Sequence, residues 1–255
     1  MAPATPTPQI SHFLREDADL AATLVPATRE AALEECIAPV VRLDTGRWSG
    51  EVVGTSHDGV GLLVLDGLLL RRVGVDGRYG AELLGDGDLL CPWQEDDLEA
   101  TVPRTTRWQI LQPTRMAVLD QRVTRRIARY PALTGQLVGR ALRRSRTLTV
   151  NMAIVHQARV DSRLQILLWH LADRWGKVSP DGIVLALTLS HAALADLVAA
   201  RRPTVTTALA DLDGRGLVRR TDAGWLLGGE RPSELVELHE PAAATPRTRP
   251  GHAPA

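Results

Sequence analysis

The chain has 255 residues, 44% of them apolar, which is typical of a globular protein with two domains. Its 30 basic and 30 acidic side chains cancel, and its 2 cysteines, Cys36 and Cys91, are too few for a disulfide framework, a zinc ribbon or an iron–sulfur cluster. No apolar stretch has the length of a membrane-spanning helix and the first residues lack a basic segment, so we expect a cytoplasmic protein that spans no membrane.

The charges are unevenly distributed along the chain. The segment 113–232 holds 19 of the basic side chains and 9 of the acidic ones, which leaves 11 and 21 for the rest. A basic half is suited to neutralising phosphate groups, although a solvated arginine-rich helix gives the same count. Charge is therefore compatible with a nucleic-acid partner but does not establish one.

Both ends of the sequence are rich in proline, alanine and threonine and lack a hydrophobic period. We therefore expect disordered tails over 1–15 and 233–255. After the first tail, apolar residues recur at helical spacing up to Cys36, and Pro26 interrupts them. This pattern predicts two short helices.

Short β-like runs, separated by glycine and aspartate, dominate the region 16–130 after these helices. Turn pairs recur about every eight to twelve residues, the spacing of an antiparallel barrel or jelly roll. We predict a small N-terminal β-roll. Its predicted strands are 40–43, 60–65, 68–73, 89–90, 108–111 and 116–119, and its predicted turns are Asp58-Gly59, Asp66-Gly67, Asp76-Gly77 and Gly85-Asp86-Gly87.

A long helix is predicted over 131–160, opened by Pro131. Its apolar side chains follow a heptad seam, which indicates a helix that pairs with its twin in a homodimer. An amphipathic helix packed on its own β-roll would show the same stripe over so few heptads. The seam consists of Val138, Ala141, Ser145, Leu148, Met152 and Val155, flanked by Arg140, Arg143, Arg144 and Arg146.

The region 161–232 contains two short helices joined by a tight turn, after a helix that Asp161 is expected to cap. Ser190 is placed to cap the first of the two, and Pro203 is placed to open the second. Glycines end the second helix, and a hairpin follows. This order of elements predicts a winged helix-turn-helix.

The outward face of the second helix is suited to DNA. Arginine donates two hydrogen bonds to a guanine edge, and threonine bonds a base or phosphate while its methyl group meets thymine. Arginines on the hairpin are expected to reach the phosphate backbone, and Trp225 is expected to pack in the core. The candidate DNA-binding residues are Ser190, His191, Arg201, Arg202, Thr204, Thr206, Thr207, Arg219 and Arg220.

Three runs in this region are distinctive: Leu187-Thr188-Leu189-Ser190-His191, Arg202-Pro203-Thr204-Val205-Thr206-Thr207-Ala208-Leu209 and Gly216-Leu217-Val218. Together they resemble the Crp/Fnr family of transcription regulators, and the order of roll, long helix and helix-turn-helix is similar over 17–229. The resemblance implies an α+β fold with a cyclic-nucleotide-binding-like jelly roll, a dimerisation helix and a winged helix-turn-helix. It also implies a bacterial homodimer that binds a two-fold symmetric operator in double-stranded DNA, with Arg202 as a base reader. A small-molecule effector and RNA polymerase are further candidate partners.

The roll departs from the family pattern where cyclic nucleotides bind. The resemblance implies a Gly-Glu pair there, but Gly87-Asp88-Leu89-Leu90 is followed by Cys91-Pro92-Trp93, and only Arg104-Thr105 is similar to the later phosphate-binding pair. Pro92 also lacks an N–H to donate to phosphate. We therefore expect a roll that does not bind cAMP, with a cyclic-nucleotide-responsive regulator as the alternative.

The effector site is otherwise unknown from the sequence. Trp48, Trp93 and Trp108 are candidates for lining a pocket, although such residues are more often core, and Cys91 with His57 are candidate haem ligands. A roll without any effector, acting as a rigid scaffold, is a further alternative.

Enzymes and protein-interaction modules are the two classes of function that compete with DNA binding. We expect no enzymatic activity, because the sequence has no nucleophile elbow, phosphate loop, dinucleotide fingerprint or paired-acid site. Histidine spacing indicates no metal, and no cofactor is expected. A winged helix that serves as a protein-interaction module is the main rival, and the arginines on the DNA-facing elements favour DNA.

Overall fold

A computed structural model describes residues 9–52, 59–94, 102–229 and 231–232. The helices of the N-terminal half are α1 (Phe13–Glu16), α2 (Ala18–Ala22), α3 (Pro26–Glu35) and α4 (Gln121–Ile127), and those of the C-terminal half are α5 (Pro131–Val155), α6 (Val160–Trp175), α7 (His191–Leu197) and α8 (Arg202–Gly214). The strands are β1 (Gln9–Ser11), β2 (Ala38–Leu43), β3 (Gly46–Trp48), β4 (Gly61–Val75), β5 (Arg78–Gly85), β6 (Leu89–Leu90), β7 (Thr105–Leu119), β8 (Gly176–Ser179), β9 (Gly182–Leu185), β10 (Val218–Thr221) and β11 (Gly224–Leu227).

The N-terminal half is an antiparallel sheet in the order β1-β2-β7-β4-β5, with β3 paired to β7 and β6 paired to β4. The predicted β-roll is thus confirmed, but its strands are longer than the sequence pattern indicated. The turn predicted at Asp66-Gly67 is wrong, because both residues lie inside β4. The register between β4 and β7 shifts around Asp66, so bulges absorb the turn-like residues without ending the strand.

The hairpin between β4 and β5 turns at Asp76 and Gly77, as predicted. Both residues have positive φ, 49° and 72°, and they join Val75 to Arg78, which face each other across the strands. Two central residues with positive φ are typical of a tight hairpin turn, and Asp-Gly is a preferred sequence for it. The turn places β4 and β5 in unbroken register from Val75 back to Leu68.

The tail predicted over 1–15 is wrong from residue 9 onward. Strand β1 pairs with β2, and Phe13 and Leu14 of α1 are fully buried. Burial of these two large apolar side chains offsets the entropy cost of ordering this short segment. The proline-rich composition of the N-terminus gives no sign of this burial. The tail predicted over 233–255 lies outside the described residues.

Helix α5 packs against the roll through Leu133 and Leu137. Arg140 lies on the same side, 9% exposed, and its Nη2 donates to Oδ1 of Asp17 over 2.7 Å. Arg144 donates from Nε to Oε2 of Glu82 over 3.0 Å. These two arginines, expected to flank a dimer seam, instead hold the helix to the roll.

The C-terminal half combines α6, α7 and α8 with a small sheet in the order β10-β11-β9-β8. Helix α6 begins at Val160, one residue before the predicted cap. Asp161 lies in its first turn and accepts hydrogen bonds from Arg159, which keep the pKa of its carboxyl below the usual value. The helices bury one apolar cluster that also includes Leu68 and Leu70 of the roll, so the two halves share a core.

Candidate nucleic-acid interface

Helix α7 begins as the sequence predicts. The Oγ of Ser190 accepts a hydrogen bond from the backbone N–H of Ala193 over 3.1 Å, which satisfies one free donor at the helix start. Leu194 and Val198 are fully buried on its inner face. Ser190 therefore positions the start of α7.

The turn between α7 and α8 contains a residue in the left-handed region. Ala199 has φ of 50°, and the N–H of Ala200 donates to the carbonyl of Ala195 over 2.9 Å. Arg163 of α6 donates from Nη1 to the carbonyl of Val198 over 3.2 Å. These two hydrogen bonds to backbone carbonyls hold the turn and so fix the angle between α7 and α8.

Helix α8 buries one face and exposes the other. Val205 and Leu212 are fully buried, and Leu209 is nearly so. Pro203 lies in the first turn, where its missing N–H has no partner to lose. The exposed side chains at the start of the helix and on its outward face are Arg201, Arg202, Thr204, Thr206, Thr207 and Ala210.

Two hydroxyl groups on α8 donate to its own backbone. Oγ1 of Thr206 donates to the carbonyl of Arg202 over 3.1 Å, and Oγ1 of Thr207 donates to that of Pro203 over 3.2 Å. Their oxygens can still accept hydrogen bonds, and both residues are exposed. Nδ1 of His191 lies 2.9 Å from Oγ1 of Thr206, so His191 links α7 to α8.

The hairpin of β10 and β11 forms the predicted wing, with Trp225 2% exposed as expected of a core residue. Its two arginines differ. Both are exposed, but Arg220 also lies over the ring of Trp225, 4.6 Å from its centre, and donates from Nη1 to the carbonyl of Leu189 over 3.0 Å. Arg220 therefore braces the wing against the start of α7.

The predicted seam runs along an exposed side of α5. Val138 and Met152 are 54% and 61% exposed, and Leu148 and Val155 are partly exposed. Leu142, which the heptad assignment did not include, is also 56% exposed. The remaining seam residues, Ala141 and Ser145, are exposed as well.

A cavity of about 570 Å³ lies between the roll and α5. Cys91 lines it, donates from Sγ to the carbonyl of Val60 over 3.1 Å, and has its pKa raised by burial. Arg104, singled out in the sequence, is also in the wall. Trp48 and Trp108 are not, since they pack together with ring centres 5.4 Å apart in the core of the roll. The other lining residues are Val60, Arg71, Val73, Leu89, Thr106, Thr124, Ile127, Ala128, Thr134, Leu137, Val138, Ala141 and Arg144.

The sequence did not identify Arg71 or Arg144 as residues of the cavity wall. The signal available was a pair of adjacent arginines, Arg71 and Arg72, in an otherwise apolar strand pattern. His57, a candidate haem ligand, lies outside the described residues. Within the part of the chain that is described, no cluster of three or more His, Cys, Asp or Glu side chains suits a metal ion, and none of the helices could cross a membrane.

Sequence comparison places the DNA-binding half in a known family. Residues 162–227 match the profile of the Crp-like helix-turn-helix domain. The chain is similar to the CRP-like cAMP-activated global transcriptional regulator of Mycobacterium tuberculosis, with 28% identity over 168 residues, 65% of this chain and 74% of the relative.

Solved structures share the fold. A CooA mutant from Carboxydothermus hydrogenoformans aligns with a TM-score of 0.59 at 20% identity, covering 79% of this chain and 87% of the other. FixK2 from Bradyrhizobium japonicum aligns with a TM-score of 0.55 at 17% identity, covering 81% and 99%. The domain match and the M. tuberculosis relative confirm the predicted resemblance to the Crp/Fnr family of transcription regulators, and the solved structures show the same fold.

Proposed function

We propose that this regulator acts as a homodimer that binds a two-fold symmetric operator, with one copy of α8 in the major groove of each half-site. The observation that carries the proposal is the outward face of α8, where Arg202 and Thr207 stand exposed at the helix start. Arg202 is suited to donate two hydrogen bonds to a guanine edge, and the threonine methyl is suited to thymine. An apolar or acidic face would instead favour a protein-interaction module.

The wing adds contacts to the DNA backbone, which do not distinguish one base sequence from another. Arg219 is exposed on β10 and is suited to a phosphate group beside the groove. We assign Ser190, His191 and Arg220 mainly to holding this surface in shape, because each already bonds a neighbouring element. Helix α8 is then the one element of this surface that we assign to reading bases.

Dimerisation through α5 is supported by the exposed seam. Three large apolar side chains of α5, Val138, Leu142 and Met152, are each more than half exposed, although the helix also packs on the roll. Burial of such a stripe against its twin would remove this apolar area from water. Two-fold symmetry of the protein then requires two-fold symmetry of the operator.

The cavity is proposed not to bind cAMP in the way implied by the family pattern. The relative from M. tuberculosis is named as cAMP-activated. Here Pro92 opens a 3-10 turn directly after Cys91, at the position where that pattern has a glutamate, and it offers neither a carboxylate for a ribose hydroxyl nor an N–H for phosphate. Calorimetric titration with cAMP should give no binding heat, and tight binding would contradict this part of the proposal.

Selection of bound fragments from random DNA tests the function. The purified chain should enrich a two-fold symmetric motif with half-sites one helical turn apart, and the folded Arg202→Ala variant should enrich it less or lose one base preference. A folded protein that enriches no motif, with or without added cAMP, would contradict the proposal and favour the interaction module.

A further inference from the structure

A second cavity, of about 420 Å³, lies where the roll meets α5 and α6. Its apolar lining comes from both halves of the molecule, since Leu83 belongs to β5, Leu167 and Leu171 belong to α6, and Leu197 belongs to α7. An apolar side chain that enters such a space is removed from water and gains van der Waals contacts. The cavity is therefore suited to an occupant with aliphatic groups.

The helical side of this cavity is rich in arginine. Four arginines of α5 and α6 line it, and three of them pair with acidic side chains of the N-terminal half, as Arg140 with Asp17, Arg144 with Glu82, and Arg174 with Asp88. The fourth, Arg143, is exposed and has no ion pair within the described part of the chain. The acidic lining residues belong to the N-terminal half, except Asp173. An occupant with a carboxylate would supply the partner that Arg143 lacks.

Asn151 of α5 presents an unsatisfied acceptor in the wall of the cavity. Its Oδ1 is buried and has no hydrogen-bond partner among the residues that the structure describes. A buried acceptor without a donor is destabilising, and native structures nearly always pair such an atom. An occupant with N–H groups, such as a peptide, would satisfy it.

The described chain ends beside this cavity. Nη2 of Arg231 donates to Oδ1 of Asp173 over 2.9 Å, and Asp173 lies in the cavity wall. The guanidinium of Arg231 lies 5.9 Å from the centre of the Trp169 ring on α6, and Pro232 is buried. The next segment of the chain, 233–240, therefore starts at the edge of the cavity.

The composition of the segment 233–240 matches the cavity. Beyond residue 232, its side chains are the only large aliphatic ones, Leu235, Val236 and Leu238, and the only acidic ones, Glu234, Glu237 and Glu240. Eight extended residues span about 26 Å, which is ample to cross the cavity from its edge. The remainder of the chain, 241–255, consists of Pro, Ala, Thr, Arg, Gly and His.

We propose that the segment 233–240 docks in this cavity, with its aliphatic side chains on the leucines, a glutamate on Arg143 and a backbone N–H on Asn151. The inference does not depend on DNA binding, because it concerns a contact within one chain. A docked segment would add contacts between α5 and α6, which are joined directly only through 156–159.

Hydrogen exchange of the full-length protein measures whether the segment is held. After correction for intrinsic rates, the backbone amides of 235–238 should exchange at least about tenfold more slowly than those of 243–255. Leu235→Asp with Leu238→Asp should remove this protection, because two charges cannot enter the apolar lining. Ala242→Asp with Thr245→Asp adds the same charges at the same spacing and should keep it.

A variant of the cavity wall tests the place of docking. Arg143→Glu should reduce the protection of 235–238, because it replaces the attraction for a glutamate by repulsion. Arg146→Glu makes the same change at another exposed position of α5, outside the cavity wall, and should have no effect. Melting temperatures of the same samples establish that both variants are folded.

Disulfide trapping locates the segment directly. In a background of Cys36→Ala and Cys91→Ala, Glu237→Cys should form a disulfide with Thr147→Cys, which lies in the cavity wall. Glu237→Cys with Thr149→Cys is the matched control, because Thr149 is exposed on the same helix but does not line the cavity.

Three outcomes would overturn the inference. Equal exchange in 235–238 and 243–255 would mean that the segment is not held. Protection that disappears on dilution, or a disulfide that joins two chains, would assign the segment to a second copy. Protection that survives Arg143→Glu, together with equal trapping at positions 147 and 149, would place the segment outside this cavity.

Discussion

The guanidinium of Arg220 lies 4.6 Å from the centre of the Trp225 ring, and Nη1 donates to the carbonyl of Leu189 just before α7. Arg219, its neighbour on the same strand, is exposed as well. From the contacts of Arg220 we propose different tasks for these adjacent arginines. One stabilises the hairpin on the helices, and the other is available to a phosphate group.

The two wing arginines are expected to respond differently to truncation. Arg220→Ala should lower the free energy of unfolding by about 1 kcal/mol, because it removes a cation–π contact and a hydrogen bond. Arg219→Ala should leave unfolding unchanged but weaken operator binding and reduce its salt slope by about one. Urea denaturation and affinity titrations at several salt concentrations measure both. Equal loss of stability in the two variants would contradict this division.

Arg202→Ala should weaken specific operator binding by about 1–3 kcal/mol and relax base preference at one position in each half-site. The fold should be unaffected, because the side chain is exposed. Arg125→Ala on α4 removes an equally exposed arginine from the roll and provides the control for net charge. If both variants lose affinity equally, Arg202 acts only through general electrostatics and is not a base reader.

Replacing Leu148 and Met152 of α5 with Glu should separate the subunits, because two charges per helix would face two more across the seam. Val178→Glu places a charge on a 90% exposed residue of the β8–β9 hairpin and should leave association unchanged. Sedimentation velocity distinguishes monomer from dimer. A dimer that survives the double substitution would show that α5 serves only its own roll.

Ala199→Gly should stabilise the chain by about 0.5–1 kcal/mol. Ala199 has φ of 50°, where a Cβ is unfavourable, and glycine adopts this region freely at some cost in the entropy of the unfolded chain. Ala210→Gly, in the exposed interior of α8, should cost about 1 kcal/mol through lower helix propensity. The two variants thus have opposite signs in urea denaturation. A destabilised Ala199→Gly would mean that the neighbouring turn relieves the strain already.

The elements with a strong local signal were predictable from the sequence. Ser190 and Pro203 mark helix starts through their own chemistry, and Asp76-Gly77 marks a hairpin through its backbone preferences. Asp66-Gly67 has the same local signal, yet pairing of β4 with β7 overrides it. Tertiary pairing of this kind cannot be recognised from local spacing.

The partners of charged side chains were the least predictable part of the site. Arg140 and Arg144 have a helical spacing that fits both the seam and the roll, and only packing against Asp17 and Glu82 decides between them. His191 is predicted to contact DNA, and the sequence does not reveal that its Nδ1 lies 2.9 Å from Oγ1 of Thr206 across the turn. Such long-range contacts depend on the angle between elements.

The central claim, that two copies of α8 engage successive grooves as a fixed pair, is tested by changing the distance between half-sites. Half-sites one helical turn apart lie on the same face of the DNA, and inserting about five base pairs moves one of them to the opposite face. Affinity of the purified protein, measured by anisotropy, should fall to that of a single half-site. Equal affinity for the two spacings would contradict a rigid dimeric regulator.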